Sequence, residues 1–135
     1  MTAPGTTEKD EPSLYEQMGG HEAFVRLVDV FYQGIAHDDL LRPMYPDEDL
    51  EEARQRLLLF LEQYWGGPRT YSDQRGHPRL RARHAPFRVD VADRDRWLLH
   101  MRRAVDSLPL NPILQSQLWD YLERAAWQMV NTLDA

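Results

Sequence analysis

A basic, proline-bracketed stretch, His77-Pro78-Arg79-Leu80-Arg81-Ala82-Arg83-His84-Ala85-Pro86-Phe87, interrupts a chain that otherwise reads as helix, and it limits how those helices can be arranged. Pro78 suits the first position of a helix, where its missing N–H would have no partner, and Pro86 pushes Ala85 out of the helical region. The helix expected between them spans about two turns and ends at His84. A ring held at a helix terminus can donate one N–H to a freed backbone carbonyl and offer its other nitrogen to a transition metal. A lone histidine in a helical protein is more often solvated or capping, so its surroundings must carry the assignment.

On either side of this stretch lie two helix patterns. Residues 1–12 are polar, hold two prolines and show no periodicity, which predicts a disordered tail before a single domain over 13–135. Ser13-Leu14-Tyr15-Glu16 has the form of a capping box, and Gly19-Gly20 stops that stub. From His21 to about Ala36, Phe24, Leu27, Val28, Phe31, Tyr32 and Ile35 recur at helical spacing. A polar connector containing Tyr45 follows. The second pattern runs from Asp47 to Tyr64, with Leu50, Ala53, Leu57, Phe60, Leu61 and Tyr64 on one face and the charged residues, Glu62 among them, mostly on the other. Gly66-Gly67-Pro68 ends it.

Asp90 caps a third pattern running to about Ser107, with Trp97, Leu98, Met101, Ala104, Val105 and Leu108 inward. Asn111-Pro112 opens the fourth, whose stripe is Ile113, Leu114, Leu118, Tyr121, Leu122, Ala125, Met129 and Val130. The expectation is an all-α chain of four substantial helices and two stubs. A plain four-helix bundle would need only a short turn between its second and third helices. Here about twenty residues intervene, expected to be irregular apart from the helix bearing His84, and such a length suggests a segment that wraps a ligand.

The chain has no cysteine, which excludes disulfides, thiolate zinc sites and iron–sulfur clusters within it and leaves His, carboxylate, Tyr or Met to hold a metal. A net charge of -6 argues against general binding to nucleic acid or to an anionic membrane. Arg69, Arg75, Arg79, Arg81, Arg83 and Arg88 nevertheless crowd the histidine segment, either as a solvated basic loop or as a seat for a dianionic ligand edge. No apolar run reaches the ~20 residues that span a bilayer, and the N-terminus lacks the pattern of a secretory signal, so a cytoplasmic location is expected.

Several spaced motifs, in order, resemble the truncated haemoglobins of group II. They are Tyr15 with Met18-Gly19-Gly20, the Phe31-Tyr32 pair, Arg42-Pro43-Met44-Tyr45-Pro46, the string from Phe60 through Gln63-Tyr64-Trp65-Gly66-Gly67-Pro68, and Gly76 through Phe87 followed by Trp97. The resemblance covers about residues 13 to 132. It implies a two-over-two helical sandwich around haem b, with His84 as proximal iron ligand and Tyr32, Tyr45, Ala53, Leu57 and Trp97 lining the distal pocket. Phe31, Arg56, Phe60, Tyr64, Tyr71, Arg83, Phe87 and Met129 are candidates for contact with the cofactor. The ligands implied are dioxygen, carbon monoxide, nitric oxide or peroxide, with any reductase a separate partner.

Phenol O–H and indole N–H can donate to a ligand with partial negative charge while keeping their protons at neutral pH. With Ala53 unable to bond a ligand, that task falls to Tyr32, Tyr45 and Trp97, and tight binding suits redox chemistry with oxygen, nitric oxide or peroxide better than bulk transport. Peroxidase or nitric-oxide dioxygenase activity is a second expectation. Taken without the resemblance, Tyr32 and Trp97 read more readily as core aromatics than as ligand donors, Tyr45 could simply pin its connector, and a haem-free helical interaction module is the alternative for the whole chain. His21, His37, His77 and His100 read as surface or capping residues, and Trp65, Trp119 and Trp127 as packing.

Overall fold

A computed structural model describes residues 13–45, 50–76, 79, 83–84 and 88–131 of the chain. Its described elements are helices α1 (Leu14–Gln17), α2 (Gly20–Ala36), a 3-10 turn (Arg42–Met44), α3 (Glu51–Tyr64), α4 (Thr70–Arg75), α5 (Val91–Asp106) and α6 (Pro112–Met129), with no strand among the described residues. The expected tail over 1–12, the helix start at Asp47, and Pro78, Pro86 and Phe87 lie outside them.

The caps fall where the side chains dictate. Ser13 and Glu16 form the reciprocal box that opens α1, Asp90 and Asp93 do the same for α5, and the Asn111 side chain accepts from the Leu114 N–H ahead of Pro112. Each bond occupies a backbone donor that the first turn leaves without a partner. At the other end of α3, Gly66 takes φ +98°, a left-handed conformation that lets the chain turn back while the Gly67 N–H donates to the Glu62 carbonyl at 2.8 Å.

Helix α2 pairs with α3, α5 pairs with α6, and α2 packs most extensively against α5, which is the two-over-two sandwich. Leu27, Val28, Phe31 and Ile35 of α2 are wholly buried, as are Met101, Ala104 and Val105 of α5. Each large apolar side chain removed from water contributes roughly 1.5–3 kcal/mol, so this crossing is the main source of cohesion.

Four sequence-based expectations are corrected. Ile113 is 71% exposed, because Leu114, Leu118, Leu122 and Ala126, each four residues apart, form the line of α6 that faces α5. Tyr64 and Trp127 are exposed rather than buried, Tyr64 stacking on Tyr121 and Trp127 lying under the Arg94 guanidinium. Glu62 is 3% exposed, not on the outer face, because α3 is covered on that side too by the α1 stub. It accepts from the Tyr15 hydroxyl at 3.1 Å and pairs with His21 Nδ1 at 2.8 Å. Finally, the segment after Gly67 is not irregular throughout, since α4 occupies six residues of it.

Candidate functional site

Two groups of aromatic side chains stand out. The first grows from the crossing of α2 and α5. Phe31 and Tyr32 are neighbours on the buried side of α2, Tyr32 being 8% exposed, and the Phe31 ring meets Tyr32 edge-on at 4.9 Å and Trp97 of α5 at 5.2 Å. The 3-10 turn delivers Tyr45 to the same group, its ring 5.9 Å from that of Tyr32. The two phenols are close enough for each to influence the ionisation of the other. Ala53 is buried on the adjoining face of α3, and Leu57 is half-buried against the same core.

The electrostatics of this group keep its donors neutral. Burial is the largest influence on Tyr32 and pushes its phenol well above the ordinary value of 10.0; the neighbouring Tyr45 raises it further, and the charge of Arg56 offsets part of this. Tyr45 is also raised by desolvation, against smaller opposing effects of the Tyr32 phenol and of Arg56. Arg56 therefore stands close enough to act on both phenols while ion-paired loosely with Glu52 at 4.0 Å.

The second group builds out from α3 and α4. Gln63 anchors α4 from two sides, its amide N–H donating to Ser72 Oγ at 2.7 Å and its carbonyl accepting the Ser72 N–H at 2.9 Å. That pins Tyr71, which is buried edge-on to Phe60 at 5.6 Å. Phe60 continues to Tyr64 at 6.3 Å. The guanidinium groups of Arg75 and Arg83 both lie 5.8 Å from the Tyr71 ring centre, and Arg83 also donates to the Arg75 carbonyl at 2.9 Å. So Phe60, Tyr64, Tyr71 and Arg83, named from the sequence as cofactor contacts, are brought together.

His84 follows Arg83 directly. The Arg83 N–H donates to the Arg79 carbonyl at 3.0 Å, closing one helical turn, and Arg79 itself has φ 45°. A left-handed Arg79 does not fit a right-handed helix begun at Pro78, and the rest of that expected helix up to Arg83 lies outside the described residues. His84 is half-buried, and its carbonyl accepts from Asn131 Nδ2 at 3.4 Å. Asn131 also exchanges two 2.9 Å bonds with the backbone of Val89. The chain beyond α6 thereby braces the histidine turn, and half-buried Met129 lies at the end of that helix.

These residues fit a haem. His84 is half-buried and follows Arg83 in the chain, the Arg75 and Arg83 guanidinium groups over Tyr71 suit carboxylate-bearing propionates, and Tyr64, an aromatic left 52% exposed, leaves apolar surface for a flat macrocycle to cover.

A third cluster contains residues that do not stand out in the sequence as functional. Asp38 is 3% exposed and His100, contrary to the surface role expected, 9%; His100 Nε2 lies 2.5 Å from Asp38 Oδ2, and Arg96 forks onto both carboxylate oxygens at 3.0 Å. Burial alone would raise the Asp38 carboxyl, but bonds from His100, from the Leu41 and Leu40 N–H groups and from Arg96 hold it at about 2. The available signal was spacing, since His100 falls three residues after Trp97 and next to Met101 on the inward side of α5.

The sequence profile of the bacterial-like globins matches residues 13–131. A group 2 truncated hemoglobin of Bacillus subtilis, YjbI, is 41% identical over 121 residues, covering 90% of each chain. Among solved structures, the thermostable hemoglobin from Thermobifida fusca superposes with TM-score 0.88 at 60% identity, covering 90% of this chain and 98% of that one. The truncated oxygen-avid haemoglobin from Bacillus subtilis superposes with TM-score 0.83 at 41% identity, covering 89% of this chain and 100% of that one.

Proposed function

This chain belongs to the bacterial-like globin family as a group II truncated haemoglobin, a haem b protein that binds oxygen, and we propose that it binds dioxygen tightly at a His84-ligated iron beneath Tyr32, Tyr45 and Trp97. When bound, haem would supply the ferrous centre at which diatomic ligands bind. The observation that carries the reading is the buried group itself, in which Phe31 holds two aromatic neighbours and the two phenols stay protonated. Tyr32 and Tyr45 meet edge-on and keep their O–H protons, while Trp97 has only an N–H to give. Two donors worth roughly 1 to 1.5 kcal/mol each would slow ligand release by about one to two orders of magnitude. Ala53 would neither donate to nor shield a ligand, and Leu57 would limit the room on the distal side.

Slow release fits redox use of oxygen, nitric oxide or peroxide, with electrons from a separate reductase, better than unloading to tissue. The similarity to a Bacillus subtilis haemoglobin described as oxygen-avid points the same way. Among the described residues, Arg56 and the Arg75 and Arg83 guanidinium groups over Tyr71 are candidate partners for propionates. Absorption spectra of purified protein with dithionite, then with carbon monoxide or oxygen, test the haem assignment, and His84→Ala should abolish haem retention. Trp97→Phe should speed oxygen release about fivefold to tenfold in stopped-flow displacement. An unchanged off-rate would remove the indole from the ligand's surroundings. Sustained consumption of nitric oxide or peroxide under added reductant would assign turnover rather than storage.

A further inference from the structure

Resting on the donor assignment above, we propose that Asp38 is a positioning residue for the distal donors, its buried carboxylate joining the turn that leads to Tyr45 to the stretch of α5 that carries Trp97. The bonds run in both directions from one side chain. Toward Tyr45, Asp38 Oδ1 accepts the N–H groups of Leu40 at 2.8 Å and Leu41 at 3.0 Å, and the Asp38 carbonyl accepts the Arg42 N–H at 2.9 Å. Arg42 then receives the Tyr45 N–H at its carbonyl, 3.2 Å, and returns its own Nη1 to the Tyr45 carbonyl at 3.3 Å. Toward Trp97, the same carboxylate takes Arg96 through Nε and Nη2 and His100 through Nε2. Arg96 and His100 are one helical turn apart and Trp97 sits between them, so fixing both fixes the rotation of α5 at the indole. The Asp38 N–H also donates to the Ile35 carbonyl at 3.1 Å, one turn beyond Tyr32 on α2.

Two further observations indicate that this junction is built to be rigid. A Cβ at Gly34 would run into the His100 imidazole, so α2 and α5 approach here only because Gly34 has none. His100 Nδ1 is buried and has no partner among the described residues, so Asp38 is what aligns the ring. A buried carboxylate with this many donors resists displacement, because losing any one leaves charge uncompensated.

The test uses the haem-loaded full chain. Asp38→Asn keeps the side chain's shape and removes its charge. It should speed oxygen release about threefold to tenfold and broaden or split the C–O stretch of the carbon monoxide adduct. In the cofactor-free chain it should shift the Trp97 indole N–H resonance. Placed in a Trp97→Phe/Tyr45→Phe background, Asp38→Asn should leave the off-rate within about twofold of that background. An effect that persists there marks a merely structural role and overturns the inference, as does an Asp38→Asn off-rate and stretch equal to wild type while Trp97→Phe alone speeds release. If Trp97→Phe itself changes nothing, the donor assignment fails and this inference falls with it. Should Asp38→Asn not fold, Arg96→Met at the partly exposed edge of the junction removes only two bonds and must move the same readouts in the same direction; wild-type values there overturn the inference.

Discussion

The crossing of α2 with α5 and the segment from Arg69 to His84 both supply aromatic side chains to the site, but they are held by different forces. At the crossing, Phe31, Tyr32 and Trp97 rest on fully buried aliphatic residues and a buried carboxylate fixes what remains. Along the segment, one buried ring, Tyr71, is retained by a glutamine and overlaid by two guanidinium groups, and His84 leans on an asparagine from beyond α6. The proposed donors are thus set before any ligand arrives, whereas the proposed iron side carries half-exposed polar and aromatic surface that a macrocycle would cover.

The comparison breaks most plainly at the level of stability. Ile35→Ala, in the heart of the crossing, should cost about 2–5 kcal/mol in the cofactor-free chain, read as a fall in the denaturant midpoint. Gln63→Ala should cost only about 0.5–1.5 kcal/mol there and yet measurably accelerate haem loss to an acceptor protein. If the two substitutions lowered stability equally, the segment would be as tightly set as the crossing and the contrast would be wrong.

Acid separates the regions next. Asp38 titrates at about 2 in the folded chain, below the roughly 3.9 of an unfolded aspartate. Its stabilisation is therefore present above pH of about 4 and is lost as pH falls toward about 2. Arg96 and His100 supply the positive and donor groups that face it from α5, and Leu40 and Leu41 the backbone donors from its own turn. The thermal midpoint of the cofactor-free chain should fall through that window, and Asp38→Asn should flatten the fall. A midpoint that declines as steeply in the variant would place the acid-sensitive carboxylate elsewhere.

Legibility from sequence divides along the same line. The crossing is readable because burial imposes helical spacing on Phe24, Leu27, Val28, Phe31 and Ile35, and capping residues set the ends of α5 and α6. Tyr32, Tyr45 and Trp97 are recognisable as candidates only through family motifs, since an aromatic on an apolar stripe is by itself just core. Helix α4 escapes notice because six residues with one buried ring have no period to detect, and its hold comes from Gln63, a residue of another helix. Asp38 and Glu62 are illegible for a related reason. What makes each carboxylate an inside residue is its partners, and these come from 58 and 62 positions away for Asp38 and from 47 and 41 for Glu62.

The smallest expected effect sharpens the account of the donors most. Desolvation holds both Tyr32 and Tyr45 above the usual phenol range, so each remains a neutral O–H donor at every pH where tyrosine in water would still be protonated. Donation would be lost only as pH rises through the folded value, and the oxygen off-rate should therefore stay flat between about pH 6 and 10. Were the two phenols solvated, or were Arg56 their dominant neighbour, one of them would ionise inside that range and release would accelerate with an alkaline midpoint. Arg56→Gln discriminates further, because it removes a nearby cation that pulls both values down. A profile flat in both proteins means that burial rather than charge keeps the donors neutral, and a midpoint that moves upward in the variant means that Arg56 was setting it.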